Sequence, residues 1–401
     1  MLDPIVVIGA GGVGLTAAVA LASKGLPVQV IEAEAEDRVR PGSRAIFLMP
    51  HSLNVLNKTV PRLGDEIAAA GLQIAGAECY YAGKRTFRMR SPHLPGIWAG
   101  ACLPQRFTEQ ILMAHAIDLG VQFTWGSPVV DMETTPDGAR LVLADSTEVN
   151  TPYAIAADGA RSTVRTKLNI DMDGERDDTS FIIVDVDSHP DGSTPRSFGH
   201  FHYAAPELGG RNVMHMPFES GMRIDLQCLP GDDVEYRSSP EGIAEWIGQA
   251  VDPWYGDHVQ WSSQYRFRQA VATSYTDENH RILLAGEAAH LFAPWGGRGL
   301  NSGIYDASAS ASAISKALTG GPATARSFIS SCATKRRKMG IVNRDASSRG
   351  LRQMTGSTAS MRTGRAVAAR VSPLVWPAGA WLMSGPTQPS LLPPVLKPSM
   401  M

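Results

Sequence analysis

The sequence predicts an α/β protein with a second, mostly antiparallel β lobe inserted into it and helices toward its C-terminal end. Three observations carry this prediction. Residues 4–32 read strand, glycine-rich turn, helix, strand. A later run, Arg281-Ile282-Leu283-Leu284-Ala285, has the unbroken apolar character of a parallel strand buried on both faces. Between them, residues 178–272 break into short strand-like runs separated by Gly, Pro and Asp turns.

Each element has its own warrant. Ile5-Val6-Val7-Ile8 is a continuous apolar strand, and Gly9 to Gly14 form the turn after it. Val13 to Ser23, rich in Ala, Leu and Val, reads as a helix that Lys24-Gly25 ends with a cation and a C-terminal glycine. Val28 to Ile31 is the second strand and completes a βαβ unit. Residues 106–118 form a helix, followed by strands at Val121–Trp125 and Arg140–Leu143 and a short strand at Tyr153–Ala157. In the inserted lobe, Phe181–Val184, Ser197–Tyr203, Asn212–Phe218 and Met222–Leu229 are strands, with one helix over Glu241–Val251. Residues 302–345 are helical, and the segment from Pro386 onward, with five prolines, is an irregular tail. The division that follows assigns 1–75, 100–177 and 273–345 to the first domain, 76–99 and 178–272 to the inserted lobe, and 346–401 to a C-terminal helical segment and tail.

A chain of 401 residues with 43% hydrophobic and 19% charged residues can bury a sizeable core. A net charge of −2 offers no basic surface for nucleic acid. The one basic run, Lys335-Arg336-Arg337-Lys338, reads as the solvated face of a helix. Cys79, Cys102, Cys228 and Cys332 are scattered, without metal-ligand or CxxC spacing, and are read as reduced thiols; no metal is expected. No apolar run reaches the ~18 residues a bilayer span needs, and the first strand begins at Pro4 without a basic segment ahead of it, so the expected location is the cytoplasm.

The chemistry resides in three glycine-bearing motifs. Gly9-Ala10-Gly11-Gly12-Val13-Gly14 follows a buried strand and opens a helix, the Rossmann-like arrangement. Gly9 permits the tight turn, Gly11 lets backbone approach a pyrophosphate at the positive helix end, and Gly14 lets helix and strand pack closely. Glu32, 18 residues past Gly14 at the end of the second strand, stands where an acid accepts hydrogen bonds from a ribose diol, which suits an FAD or NAD adenosine better than NADP. The second motif is Ala157-Asp158-Gly159-Ala160-Arg161-Ser162. The third is Gly286-Glu287-Ala288-Ala289-His290, continued by Pro294-Trp295-Gly296-Gly297-Arg298-Gly299-Leu300-Asn301-Ser302-Gly303.

In this order the three motifs resemble the p-hydroxybenzoate hydroxylase family, the class A flavin-dependent aromatic hydroxylases, over residues 4–345. The resemblance implies noncovalent FAD, reduction by NADPH or NADH, and a flavin C4a-hydroperoxide that hydroxylates a phenolic or otherwise activated aromatic substrate with O2. It implies that Gly9, Gly11, Gly14 and Glu32 hold the ADP portion, Arg44 lies near the pyrophosphate, and Gln105 contacts the flavin. It further implies that Asp158 serves FAD and nicotinamide, Gly286 and Glu287 the ribityl chain, and Pro294 to Asn301, including Gly299 and Leu300, the flavin ring. Glu287 stands where the family usually has Asp, and Arg298 where Gln is common. The same FAD motifs also serve epoxidases and reductases of this fold, which is the alternative reading.

No motif encodes the substrate. A phenol needs a polar group beside its hydroxyl to make the ring electron-rich. His200 and His202 share one strand face, as do Arg223, Asp225 and Gln227. These, with His215, Tyr80 and Tyr81, are the pocket candidates, and Trp295 and Pro294 are expected to wall the flavin. His290 is read as a structural part of its loop. The expected partners are a small aromatic molecule and O2, with the protein a monomer or homodimer.

Overall fold

The computed structural model describes residues 2–38, 45–90, 100–292 and 297–320, with 329, 330, 333, 334 and 337. Arg44, Pro294, Trp295, Cys332, the basic run apart from Arg337, and the whole segment 346–401 lie outside the described residues.

A five-stranded parallel sheet forms the frame. Ile5–Ile8 (β1) is its central strand, flanked by Val28–Ile31 (β2) and Ala154–Ala156 (β12), with Gln122–Thr124 (β8) beyond β2 and Ile282–Leu284 (β18) beyond β12. One face is covered by three helices, Gly12–Ala22 (α1), Gln105–Asp118 (α4) and Arg298–Gly320 (α8). There Ile5, Val7, Val30, Ile155 and Leu283 pack with Leu15, Leu112 and Ile304. The other face meets an antiparallel sheet of Val129–Thr134 (β9), Ala139–Leu143 (β10) and Glu148–Thr151 (β11), and Val6, Ile8, Ile282 and Leu284 pack on Leu141 and Leu143. Burial on both faces is why β1, β12 and β18 are unbroken apolar runs, whereas β2 carries Gln29 and the edge strand β8 carries Gln122 and Thr124.

The second sheet has eight strands. From one edge to the other they are His290–Leu291 (β19), Val259–Ala272 (β17), Met172–Asp187 (β13), Gly221–Gln227 (β16), Arg211–Phe218 (β15), Phe198–Ala205 (β14), Gly76–Tyr81 (β5) and Lys84–Arg90 (β6). All neighbours are antiparallel except β14 and β5. Its back carries Val234–Ser238 (α6) and Pro240–Ala250 (α7), whose Ile243, Trp246 and Ile247 pack on Ile182, Met222, Ile224 and Leu226. α7 starts as its sequence requires, with Pro240 in the first turn and the Ser239 hydroxyl accepting from the Gly242 amide at 3.1 Å. The front meets a small sheet of Ala45–Leu48 (β3), Ala101–Pro104 (β7) and Leu72–Gln73 (β4). Pro50–Thr59 (α2), Leu63–Ala69 (α3) and Thr163–Lys167 (α5) complete the described elements.

Several elements differ from expectation. The helix expected from 302 begins at Arg298, inside the glycine segment, and is described to Gly320. The longest unforeseen strand is β17; Val259, Trp261, Ser263 and Tyr265 alternate with more exposed neighbours, a period-two pattern that its Ser and Gln residues mask. Among the described residues no helix is long and apolar enough to cross a membrane.

Candidate active site

The glycine turn joins β1 to α1. Gly9 has φ +103°, and a Cβ there meets the Ala157 carbonyl oxygen at 2.5 Å. A Cβ on Gly14 falls 1.9 Å from the Gly9 carbonyl oxygen, so this glycine is required by packing. Gly11 has no side chain with which to cap α1, and the positive end of the helix faces the cavity. The Glu32 carboxylate accepts from the Ala10 amide at 2.5 Å and the Glu34 amide at 3.0 Å, fixing the turn to the end of β2 while it lines the cavity. Glu109, one turn into α4, accepts from the Gly12 amide at 3.1 Å and from Gln105 Nε2 at 2.8 Å. A carboxylate thus stands at the amide end of α1, the place that favours an anion.

The other two motifs are braced to this turn and to each other. Asp158 accepts from the Ser162 hydroxyl at 2.6 Å and the Val164 amide at 3.1 Å, capping α5, and burial raises its pKa against those bonds. Arg165 donates to the Ala288 carbonyl at 3.1 Å, tying the second motif to the third. Asp306 on α8 accepts from the Gly286 amide at 3.1 Å and pairs with His290 Nε2 at 2.5 Å. His290 is therefore a buried brace. Asn301 accepts from the Met49 amide and donates to the Phe47 and Gly297 carbonyls, clamping the start of α8 to β3.

One cavity of about 640 Å³ runs from the glycine turn to the front of the eight-stranded sheet. Of the expected cofactor residues, Gly9, Gly11, Glu32, Gln105, Asp158, Glu287, Gly299 and Leu300 line it. Gly14, Gly286 and Asn301 do not, and support the wall from behind. At the sheet end the lining comprises Ile183, Phe201, Met214, Met216, Arg223, Asp225 and Tyr265, with Phe47 from β3.

The expectation that His200, His202 and His215 line the pocket is corrected by strand direction. Phe201, Met214 and Met216 alternate with them and take the cavity face. The three histidines lie on the opposite face, where His202 is 4.5 Å from Tyr80 and 5.0 Å from His215 between ring centroids. Burial there lowers the pKa of all three, that of His215 to about 3. Arg223 does reach the cavity. Its Nε and Nη2 each donate to Asp185 at 2.8 Å and its Nη1 to the Ala45 carbonyl at 2.6 Å, so the guanidinium joins β16, β13 and β3. Polarity is the sequence signal for a pocket face, and it does not point to these apolar lining residues. That signal holds on β16 and reverses on β14 and β15.

A family model described as an FAD binding domain matches residues 3–341. The chain belongs to this family of FAD-binding proteins. The 3-(3-hydroxy-phenyl)propionate/3-hydroxycinnamic acid hydroxylase of Comamonas testosteroni is 30% identical over 324 residues, which are 76% of this chain and 51% of that protein. The chain thus spans about half the length of that relative. The para-nitrophenol 4-monooxygenase of Pseudomonas sp. strain WBC-3 is 27% identical over 349 residues, 80% of each chain. The crystal structure of p-nitrophenol 4-monooxygenase PnpA from Pseudomonas putida DLL-E4 superposes with a TM-score of 0.80 at 22% identity, covering 95% of this chain and 97% of that one, a likeness of fold.

FAD is the cofactor. The residues present fit it: a turn in which Gly9 and Gly14 leave no room for a Cβ, a helix start that opens on the cavity, and Gly299, where a Cβ meets nothing within 4 Å, presenting bare backbone to the cavity.

Proposed function

We propose that this chain is an NAD(P)H-dependent flavin monooxygenase that hydroxylates a phenolic or similarly activated aromatic ring. The observation that carries the reading is the single cavity joining the glycine turn to a mostly apolar sheet front. Gly9, Gly11 and Glu32 hold the adenosine diphosphate portion of FAD, and Gln105, Asp158, Glu287, Gly299 and Leu300 face the remainder. Bound FAD, once reduced, supplies the activation of O2. The chain's part is to bind, orient and keep dry. Ile183, Phe201, Met214 and Met216 offer a flat apolar wall for a ring and exclude water from its surface. The Arg223–Asp185 pair, buried and bidentate, pins β16 against β13 and so fixes that wall. Named relatives that act on phenols, among them the para-nitrophenol 4-monooxygenase, support the substrate class. We place the protein in the cytoplasm, as a monomer or homodimer.

The test is NADH and NADPH oxidation by the FAD-loaded protein with and without a panel of phenols and hydroxypyridines, with products followed by mass. Faster oxidation together with a product heavier by one oxygen atom is expected. Turnover that yields only hydrogen peroxide with every compound counts against hydroxylation of this class.

A further inference from the structure

Among the described residues, Asp225 is a buried carboxyl with one oxygen that no hydrogen bond meets. It lies on β16 in register with Ile183 of β13 and Met214 of β15, and all three line the cavity. Its side chain is 2% exposed, and Oδ1 has no hydrogen-bond partner among the described residues. Arg223, two residues earlier on the same face, is the obvious counter-ion, yet its fork is committed to Asp185 and the Ala45 carbonyl. The local charges are thus one neutralised pair plus one further acid. Around that acid stand Ile183, Phe201, Met214 and Met216. A buried carboxyl with an unmet oxygen in an apolar wall is costly unless something that enters the cavity completes it.

We propose that Asp225 recognises the substrate's ring hydroxyl or ring N–H and acts as the base that takes its proton, so that the ligands this cavity selects are aromatic rings carrying a donor at that position. In the step, the substrate O–H bond breaks, its electron pair stays on the ring oxygen, and the proton becomes bonded to the Asp225 carboxylate. The ring gains electron density where hydroxylation needs it. An acceptor-only anion of similar size, such as benzoate, offers no donor and places a second negative charge beside the first. This assignment rests on the hydroxylase reading for its consequence, but the recognition it describes does not require turnover.

The charged and titratable groups around Asp225 set the pH range. Arg223 on its own strand favours the ionised form, and Asp185 on β13 opposes it. Cys102 on β7 is a neutral thiol pushed up to about 12 by burial, and Tyr265 of β17 and Arg298 of α8 line the same cavity. Burial outweighs Arg223 and raises Asp225 to about 7, the range in which a base serves at neutral pH.

The experiment titrates FAD-loaded protein with phenol, anisole and benzoate from pH 5.5 to 8.5, reading the flavin absorbance change on binding. Wild type is expected to bind phenol more tightly as pH rises through about 7, and to bind anisole and benzoate at least ~10-fold more weakly at the top of the range, the size of one hydrogen bond to a charged group. Asp225→Asn is expected to lose that factor for phenol and the pH dependence with it. Equal affinity for phenol and anisole in wild type overturns the proposal, as does Asp225→Asn binding phenol with an unchanged profile or wild type binding no donor-bearing ring in the panel. The wild-type profile needs no variant, so it decides the matter if Asp225→Asn does not fold. Donor-selective, Asp225-dependent binding without any oxygenated product removes the hydroxylase reading and leaves the recognition role standing. Oxygenated product from an Asp225→Asn protein of undiminished affinity does the reverse.

Discussion

The two ends of the cavity are built by different means. At the glycine turn the wall is backbone: Gly9, Gly11 and Gly12 follow one another in the chain, and a Cβ on Gly9 meets a neighbouring carbonyl at 2.5 Å. At the sheet end the wall is side chain, drawn from β3, β13, β14, β15, β16 and β17, which span residues 45–272. A turn made of consecutive residues has its shape set locally. A wall made of six strands depends on which face of each strand the neighbouring layers cover. The histidines show the consequence. Polar residues alternate with apolar ones on β15 and on β16, yet the polar set faces the cavity only on β16, because α7 packs on the other side through Ile224 and Leu226.

Variants at the two ends separate these modes. The largest effect is expected from Gly9→Val. The substitution combines a left-handed backbone position, costing about 1–3 kcal/mol by itself, with a collision against the Ala157 carbonyl. The purified protein should be colourless, and a normal flavin content after gel filtration defeats the assignment of this turn to FAD. Next is Arg223→Leu, which strands the buried Asp185 carboxylate. The loss expected is about 3–5 kcal/mol in urea unfolding, and Asp185→Asn paired with it should recover part of that loss. A variant as stable as wild type would show that the pair does not fix the sheet-end wall.

The pH dependence of stability sharpens the comparison, because the cavity face and the back face of one sheet pull in opposite senses. His215 is held neutral by burial, its pKa lowered from 6.5 to about 3. The stability it contributes is complete above about pH 6.5 and is lost as pH falls toward about 3. Asp225 is raised from 3.8 to about 7, so its contribution is complete below about pH 4 and is lost as pH rises through about 7. Melting temperatures between pH 4 and 8 should therefore decline less steeply on acidification in His215→Leu, and less steeply toward neutral pH in Asp225→Asn. Superimposable profiles for all three proteins contradict the burial assigned to these groups. The smallest effect is expected from His202→Gln, on the far side of the sheet from the cavity. Phenol affinity should stay within about twofold and stability within about 0.5 kcal/mol, as for ordinary substitutions away from a site. A tenfold loss of affinity would return the histidine face to the pocket.

Much of the frame was legible before any coordinates. β1 and β18 are readable because burial on both faces leaves continuous apolar runs, and α1 and β2 because Gly9 and Gly14 mark the turn of a strand–helix–strand unit with geometries other residues take only under strain. Glu32 was legible from its spacing alone, and it lies in the cavity. What the one-dimensional pattern could not convey was direction. Whether His215 or Met216 faces the ligand depends on the layer that covers the back of β15, and that layer comes from elsewhere in the chain. The bonds that Asn301 and Gly286 make, to Met49, Phe47 and Asp306, are not legible in the sequence, because they are set by how α8 docks.

The sequence by itself determined the glycine turn, the strands buried on both faces and the order of the three motifs, because each is fixed by local sterics or by the period of burial. Only the tertiary structure decided that Arg223 is consumed by Asp185 while Asp225 is left over. Both are polar residues on one face of one strand, and what distinguishes them is a carboxylate on β13, 38 residues away along the chain and hydrogen-bonded at 2.8 Å in space.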